Sequence, residues 1–234
     1  MNTAFPFFAA YVFVNDRIDT VLIVGTLFFL IPYNFLMYGI NDVFDYESDM
    51  RNPRKGGIEG ALLDPKLHKI TIWSSMGLSL GFVIYLLVVG NDIADFWLLI
   101  TLFAVLAYSV PKLRFKEIPF LDSLTSALHF IGPMLFALAL SGVNIFEFKI
   151  FSIILAFLGW GMASHAFGAV QDVRADREAG IKSISTAIGA RTTVRLAFLL
   201  YFLAGVSVMN AGPHGMVAAL AAIPYLVIIA PYLN

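Results

Sequence analysis

Hydrophobic positions in this chain run in long stretches separated by short polar loops. The stretches lie near residues 3–14, 20–40, 70–90, 96–110, 120–141, 148–170, 193–209 and 215–233. Most approach the roughly 20 residues that carry a helix across the hydrocarbon layer. The first is short and reads as a helix missing its beginning. The fourth is short and ends at Pro111. The pattern predicts an all-α, polytopic transmembrane bundle of about eight spans, forming a single domain over residues 1–234. No soluble domain, low-complexity linker or coiled-coil repeat interrupts it. An acidic stripe recurs after the second and the sixth stretch, as two related halves would produce.

Composition agrees with the pattern. The chain is 59% hydrophobic and 13% charged, with a mean hydropathy of +0.83. Globular domains run near 45–50% apolar and about 25% charged. A net charge of −1 gives nucleic acid no footing as a partner. The absence of cysteine removes disulfides, thiolate metal sites and thiol nucleophiles. The segment Ala4 to Val14 lacks the basic flank and the small-residue site of a cleavable leader. His68, His129, His165 and His214 are scattered, with no H-x-x-x-H pair for a transition metal.

Charge is distributed unevenly between the loops. Loops 51–69, 111–117 and 171–195 hold 13 of the 15 basic residues. These alternate loops fall on one face, while Arg17 and Lys149 fall on the other beside Asp16, Asp19, Asp92, Asp95 and Glu147. The positive-inside bias makes the basic face cytoplasmic. With eight spans, both termini are expected there too.

That same face carries two acidic clusters. Asn41, Asp45 and Asp49 are spaced four apart, as are Asp172 and Asp176. On an α-helix a step of four turns a side chain by about 40°, so each set forms one stripe. Like charges at this spacing cost roughly 0.2–0.5 kcal/mol per pair, and the membrane edge adds desolvation. Acids at the C-terminal end of a helix also oppose its dipole, so capping does not account for them. Two such stripes call for a cation. Hard oxygen donors with open positions suit Mg²⁺, which usually binds through one or two carboxylates plus substrate phosphates. Asp42 lies about 100° off the first stripe, still within reach of a metal. The reading is two Mg²⁺ ions, one on Asn41, Asp45 and Asp49, the other on Asp172 and Asp176, completed by a diphosphate.

The reaction that fits is ionisation of an allylic diphosphate, in which cations stabilise the leaving group. The carbocation that remains needs a water-free pocket. Aromatic faces stabilise it by roughly 0.5–2 kcal/mol each, and the chain has 22 Phe, 9 Tyr and 3 Trp. A lipophilic acceptor can then enter from the bilayer lipids.

At this point the residues resemble a known family. Asn41 to Asp49 has the N-D-x-x-D-x-x-x-D pattern of the UbiA superfamily of intramembrane prenyltransferases. Asp172 to Asp176 is similar to that family's second D-x-x-x-D motif, followed by Gly180 and Lys182. Tyr108-Ser109-Val110-Pro111-Lys112 looks like its Y-x-x-x-K loop motif. The resemblance covers nearly the whole chain. It implies Mg²⁺ dependence, a prenyl diphosphate donor and nine spans around a central cavity open to the cytoplasmic face. The stretches 41–56 and 113–123 look most like the lycopene elongase branch, which adds C5 units from dimethylallyl diphosphate to carotenoid ends. Two features depart from the family. Its fuller first helix, opening S/T-R-P, is not found, and eight spans stand where nine are usual. The chain is therefore expected to be shortened at one or both termini.

Asp45, Asp49, Asp172 and Asp176 are thus the expected catalytic metal ligands, with Asn41 and Asp42 beside them. Any one loop cation can be explained by the positive-inside bias alone. Arg54, Lys112 and Lys182 rise above that background because they lie closest to motif positions. Arg51, Lys55, Arg114 and Lys116 do not. Tyr108 reads equally as an interfacial anchor and as a phosphate or cation partner. His129 reads as a buried histidine bonded to a neighbouring helix before it reads as an acceptor-site base. His165, seven before Asp172, lines a cavity or joins helices, and Gly159 and Gly161 permit close packing.

Other acceptors (a quinone precursor, chlorophyllide, haem, a glycerol lipid) remain open. A divalent-cation transporter is the competing class, but the acids lie at one face and not at mid-membrane. A non-catalytic scaffold would not need intact motifs. Nothing in the sequence fixes an oligomeric state.

Overall fold

Helices form wherever the apolar stretches predict them, and several of their breaks fall at prolines. The computed structural model describes residues 3–51, 55–56 and 61–234, and every regular element among them is helical. The α-helices are α1 (Ala4–Asn15), α2 (Thr20–Leu30), α3 (Pro32–Asp49), α4 (His68–Val89), α5 (Asp92–Ser109), α6 (Leu121–Leu140), α7 (Phe148–Ala169), α8 (Val173–Ala179), α9 (Ile184–Ile188), α10 (Ala190–Met209), α11 (Pro213–Ala219) and α12 (Ala222–Ile229). Among the described residues, seven helical stretches are long and apolar enough to cross a membrane, and α1 is apolar but shorter. Together they account for the eight hydrophobic stretches. Trp73, Leu80, Ile84, Val88, Val217 and Val227 are among many large apolar side chains that stay exposed. A surface of this kind, on helices that satisfy their own backbones, belongs to an integral membrane protein.

The chain forms two compact units. The first comprises Met1–Arg114 and Gly132–Val143. Here α2 and α3 make one span of 30 residues broken at Ile31–Pro32. Pro32 has no N–H and its ring crowds the preceding turn, so the helix cannot run through. The carbonyls released there find side-chain donors. Asn34 Nδ2 donates to Phe29 O (2.7 Å) and Leu30 O (3.0 Å), and Thr3 Oγ1 donates to Phe29 O (2.7 Å). Around the break, Phe7, Phe28, Phe29, Tyr33 and Phe136 are fully buried, with ring centroids 4.9–6.2 Å apart. Such offset and edge-on pairs add about 0.5–1.5 kcal/mol each beyond their burial. The core thereby fixes the angle at which α3 leaves towards its acidic end. Helix α5 stops at Ser109, because Pro111 pushes Val110 into extended backbone (ψ 135°).

The second unit comprises Phe115–Ile131 and Asn144–Asn234. Its core pairs α7 with α10 through small residues, Ala163 and Ala166 against Val194, Ala197 and Tyr201. Gly161 lies against α6, where a Cβ would fall 3.0 Å from that of Ala127, so α6 and α7 approach closely. Helix α7 continues through a 3₁₀ turn at Val170–Asp172 into α8, which ends at Gly180 with φ of 72°. Only glycine takes that left-handed cap at little cost. The last hydrophobic stretch is not one helix. Pro224 cannot donate to Leu220 O, which accepts instead from Ile223 N (3.1 Å), and the chain splits into α11 and α12.

Candidate active site

In the first unit, α3 presents Asn41, Asp45 and Asp49 along one face, as the spacing requires. Asp45 is buried, while Asn41, Asp42 and Asp49 are half-buried. Asn41 Oδ1 accepts a hydrogen bond from Ser109 Oγ at 2.7 Å. Ser109 is itself buried and ends α5. The Tyr108–Lys112 loop is therefore fastened to the acidic helix by its second residue, and Tyr108 sits half-buried next to the fastening.

Arg114 and Lys55 meet this helix. Arg114 Nη2 lies 3.9 Å from Asp45 Oδ1, and its Nη1 donates to Phe44 O at 3.4 Å. Lys55 Nζ lies 3.4 Å from Asp49 Oδ2. Arg114 reaches its position from a left-handed backbone (φ 41°), and Lys112 from another (φ 77°). For residues with a side chain such backbone costs about 1–3 kcal/mol each and persists only where surrounding contacts hold it. Backbone bonds from Leu113 N (3.2 Å) and Arg114 N (3.1 Å) to Val110 O close the loop that carries both. Lys112 is exposed. Arg54 lies outside the described residues.

In the second unit, Asp172 closes the 3₁₀ turn and Asp176 lies in α8, both half-buried. The step of four thus crosses a change of helix type and is not one uniform α-helical stripe. Asp176 Oδ2 accepts from Ser183 Oγ at 3.0 Å. Ser183 is the N-cap of α9 in a reciprocal capping box with Thr186. Lys182 is exposed in the turn just before it. On α7, His165 Nδ1 is 3.1 Å from Ser123 Oγ, which makes it a bridge between helices. His129 is buried, as expected.

Among the described residues, no three His, Asp or Glu side chains gather closely enough to cage an ion by themselves. That donor chemistry fits Mg²⁺, which tolerates few protein ligands when phosphate oxygens complete its shell. On α3 the donors are an amide and carboxylates, hard oxygens with cations beside them and no soft ligand. Sequence reasoning did not separate Arg114 and Lys55 from the basic background, and it passed over Ser109 and Ser183. Charge counting cannot see a backbone that turns left-handed to deliver Arg114. The sign the sequence did offer is that serine is a residue type favoured at helix N-caps.

The chain is similar to known proteins along most of its length. The model of the UbiA prenyltransferase family matches residues 3–233. A C(50) beta-cyclic carotenoids biosynthesis protein, LbtBC of Dietzia sp. strain CQ4, is 49% identical over all of this chain and 54% of its own length. A lycopene elongase/hydratase of Corynebacterium glutamicum is 47% identical over 97% of this chain and 78% of its own. The chain thus spans about half of the first relative. A UbiA homolog from Archaeoglobus fulgidus, solved with DMAPP and Mg²⁺, superposes with a TM-score of 0.75 at 18% identity, covering 97% of this chain and 81% of that one. It establishes a shared helical fold.

Proposed function

The chain belongs to the UbiA prenyltransferase family, and we propose that it transfers a C5 prenyl group within the membrane, from dimethylallyl diphosphate to the end of a carotenoid such as lycopene. The observation that carries this is the Ser109–Asn41 bond, which fastens a cation-bearing loop motif to an acidic helix, with Arg114 delivered to Asp45. An anionic leaving group needs both signs of charge there, carboxylates for its metal and cations for its oxygens. The names of the two relatives, both from carotenoid chemistry, support the acceptor.

In this reading residues 1–234 act as one domain. Asn41, Asp42, Asp45 and Asp49 hold one Mg²⁺, and Asp172 and Asp176 hold a second. When bound, Mg²⁺ neutralises the charge that develops on the departing diphosphate. Arg54, Tyr108, Lys112 and Lys182 bind the donor, joined by Arg114. Aromatic and apolar side chains of the bundle keep water from the allylic cation until the acceptor attacks. The basic face and both termini are cytoplasmic, and the acceptor enters from the bilayer.

The test is an extraction-and-mass assay on membranes containing the protein, given Mg²⁺, dimethylallyl diphosphate and lycopene. The expected product is a carotenoid heavier by one or two C5 units that disappears with EDTA. Its mass also distinguishes loss of a proton from addition of water. A prenylated product found only with an aromatic acceptor would overturn the carotenoid assignment.

A further inference from the structure

Asp122 is a fully buried carboxylate that the reaction as described does not use. It lies in the first turn of α6, where a helix dipole favours an anion. Its oxygens are occupied by protein donors. Oδ1 accepts from Ser123 N (2.6 Å) and Ser123 Oγ (3.3 Å), and Oδ2 accepts from Ile184 N (2.7 Å). A buried acid engaged in this way is placed to hold chain and not to hold metal.

What it holds can be followed bond by bond inside the second unit. Ile184 is the first residue of α9, so Asp122 fixes the position of that helix start. Ser183, the residue before, then directs its hydroxyl to Asp176 Oδ2 at 3.0 Å. Ser185, the residue after, donates to Ala169 O at 2.8 Å, at the end of α7 where the chain turns towards Asp172. Ser123 Oγ meets His165 Nδ1 on the same α7. The bonds form a closed ring through α6, α7, α8 and α9 that starts and ends at Asp122.

We propose that Asp122 is a positioning residue for the second acidic motif, acting through the α9 start and Ser183 to set the direction of the Asp176 carboxylate. This rests on the reading of Asp176 as a Mg²⁺ ligand. Partners that orient a ligating carboxylate are worth roughly 10- to 100-fold in metal affinity. The chain is connected, so effects of breaking it at two points do not add.

The experiment uses the full chain in detergent and reads Mn²⁺ binding by electron paramagnetic resonance with inorganic diphosphate present. The half-saturating Mg²⁺ for diphosphate release and the thermal midpoint are measured beside it. Asp122→Asn presents an amide that cannot accept at both places. Asp122→Asn and Ser183→Ala are each expected to weaken Mn²⁺ binding about tenfold or more. Ser183→Thr restores the hydroxyl and the binding. The double variant binds no worse than the weaker single one. If Asp122→Asn does not fold, Asp122→Glu, which keeps the charge but displaces both oxygens, replaces it and is expected to weaken Mn²⁺ binding in the same way. Normal Mn²⁺ affinity in Asp122→Asn and Ser183→Ala, with a lowered thermal midpoint and with Asp176→Asn deficient, would overturn the proposal and leave Asp122 a structural acid. Normal affinity in Asp176→Asn would instead overturn the metal reading beneath it.

Discussion

Ser109 Oγ donates to Asn41 Oδ1 across 2.7 Å, and one hydrogen bond thereby sets the register between the end of α5 and the acidic face of α3. The amide oxygen keeps a second lone pair for another partner. Ser109→Ala removes the bond but not the helix. It should cost about 0.5–1.5 kcal/mol in donor binding, between twofold and tenfold in KM. Steady-state kinetics with varied dimethylallyl diphosphate check this, and an unchanged KM would deny Asn41 a role at the donor.

Arg114 should behave differently from its basic neighbours. Its guanidinium reaches both Asp45 and Phe44 O. Arg114→Ala is expected to lose about 1.5–3 kcal/mol of transfer efficiency, ten- to a hundredfold. Arg114→Lys recovers only part, since an ammonium cannot span both contacts. Lys66→Ala, in the basic loop after the first motif, serves as the comparison and should stay near wild type. Equal losses in the two alanine variants would return Arg114 to the general basic background.

Removing the metal ligands is the most severe perturbation. Asp45→Ala and Asp172→Ala should each reduce diphosphate release by at least about a hundredfold, several kcal/mol of charge stabilisation. EDTA should do the same to the unaltered protein. Full activity in both variants would sink the assignment of these acids to Mg²⁺.

These residues also separate what the sequence discloses from what it hides. The eight stretches and the acidic stripe on α3 follow from hydropathy and the helical period, which are local and repeat along the chain. The break at Pro32 needs one residue and one rule. Arg114 is different, because its role depends on a left-handed loop backbone that helical periodicity does not predict. Asp122 looks like an ordinary first-turn acid until Ile184, 62 residues away, is folded against it. Long-range pairing of single polar groups leaves no periodic trace, so it appears only once helices are packed.

Packing around Pro32 gives a stability prediction unconnected with chemistry. Asn34→Ala removes one of two side-chain donors to Phe29 O beside a buried aromatic core, and the donor to the more exposed Leu30 O. The expected loss is about 0.5–1.5 kcal/mol, seen as a fall of a few degrees in the thermal midpoint in detergent. Asn34→Gln, with its longer reach, should not recover it. A midpoint equal to wild type would show that the break is satisfied by other means.

On the opposite face, Asp19 gives a prediction for pH. Burial pushes its carboxyl up, but the N–H of Leu22, the hydroxyl of Tyr11 (2.9 Å) and Arg17 (2.8 Å) outweigh it and hold the group below the usual carboxylate range. A depressed folded-state value means stability that is present above the ordinary carboxylate pKa and lost as pH falls through the folded one. Acidification below about pH 4 should therefore lower the thermal midpoint, and less so in Asp19→Asn, which still caps α2. Identical acid sensitivity in both proteins would contradict the linkage.

Ser183 answers to two masters. Its oxygen receives the Thr186 N–H as the cap of α9, and its single hydrogen goes to Asp176. Helix-capping rules alone would accept aspartate there as readily as serine. Aspartate, however, has no proton to offer and would set a second negative charge against the first. Substitution at this position is thus governed by a narrower alphabet than either duty imposes, with serine and threonine the two letters that satisfy both.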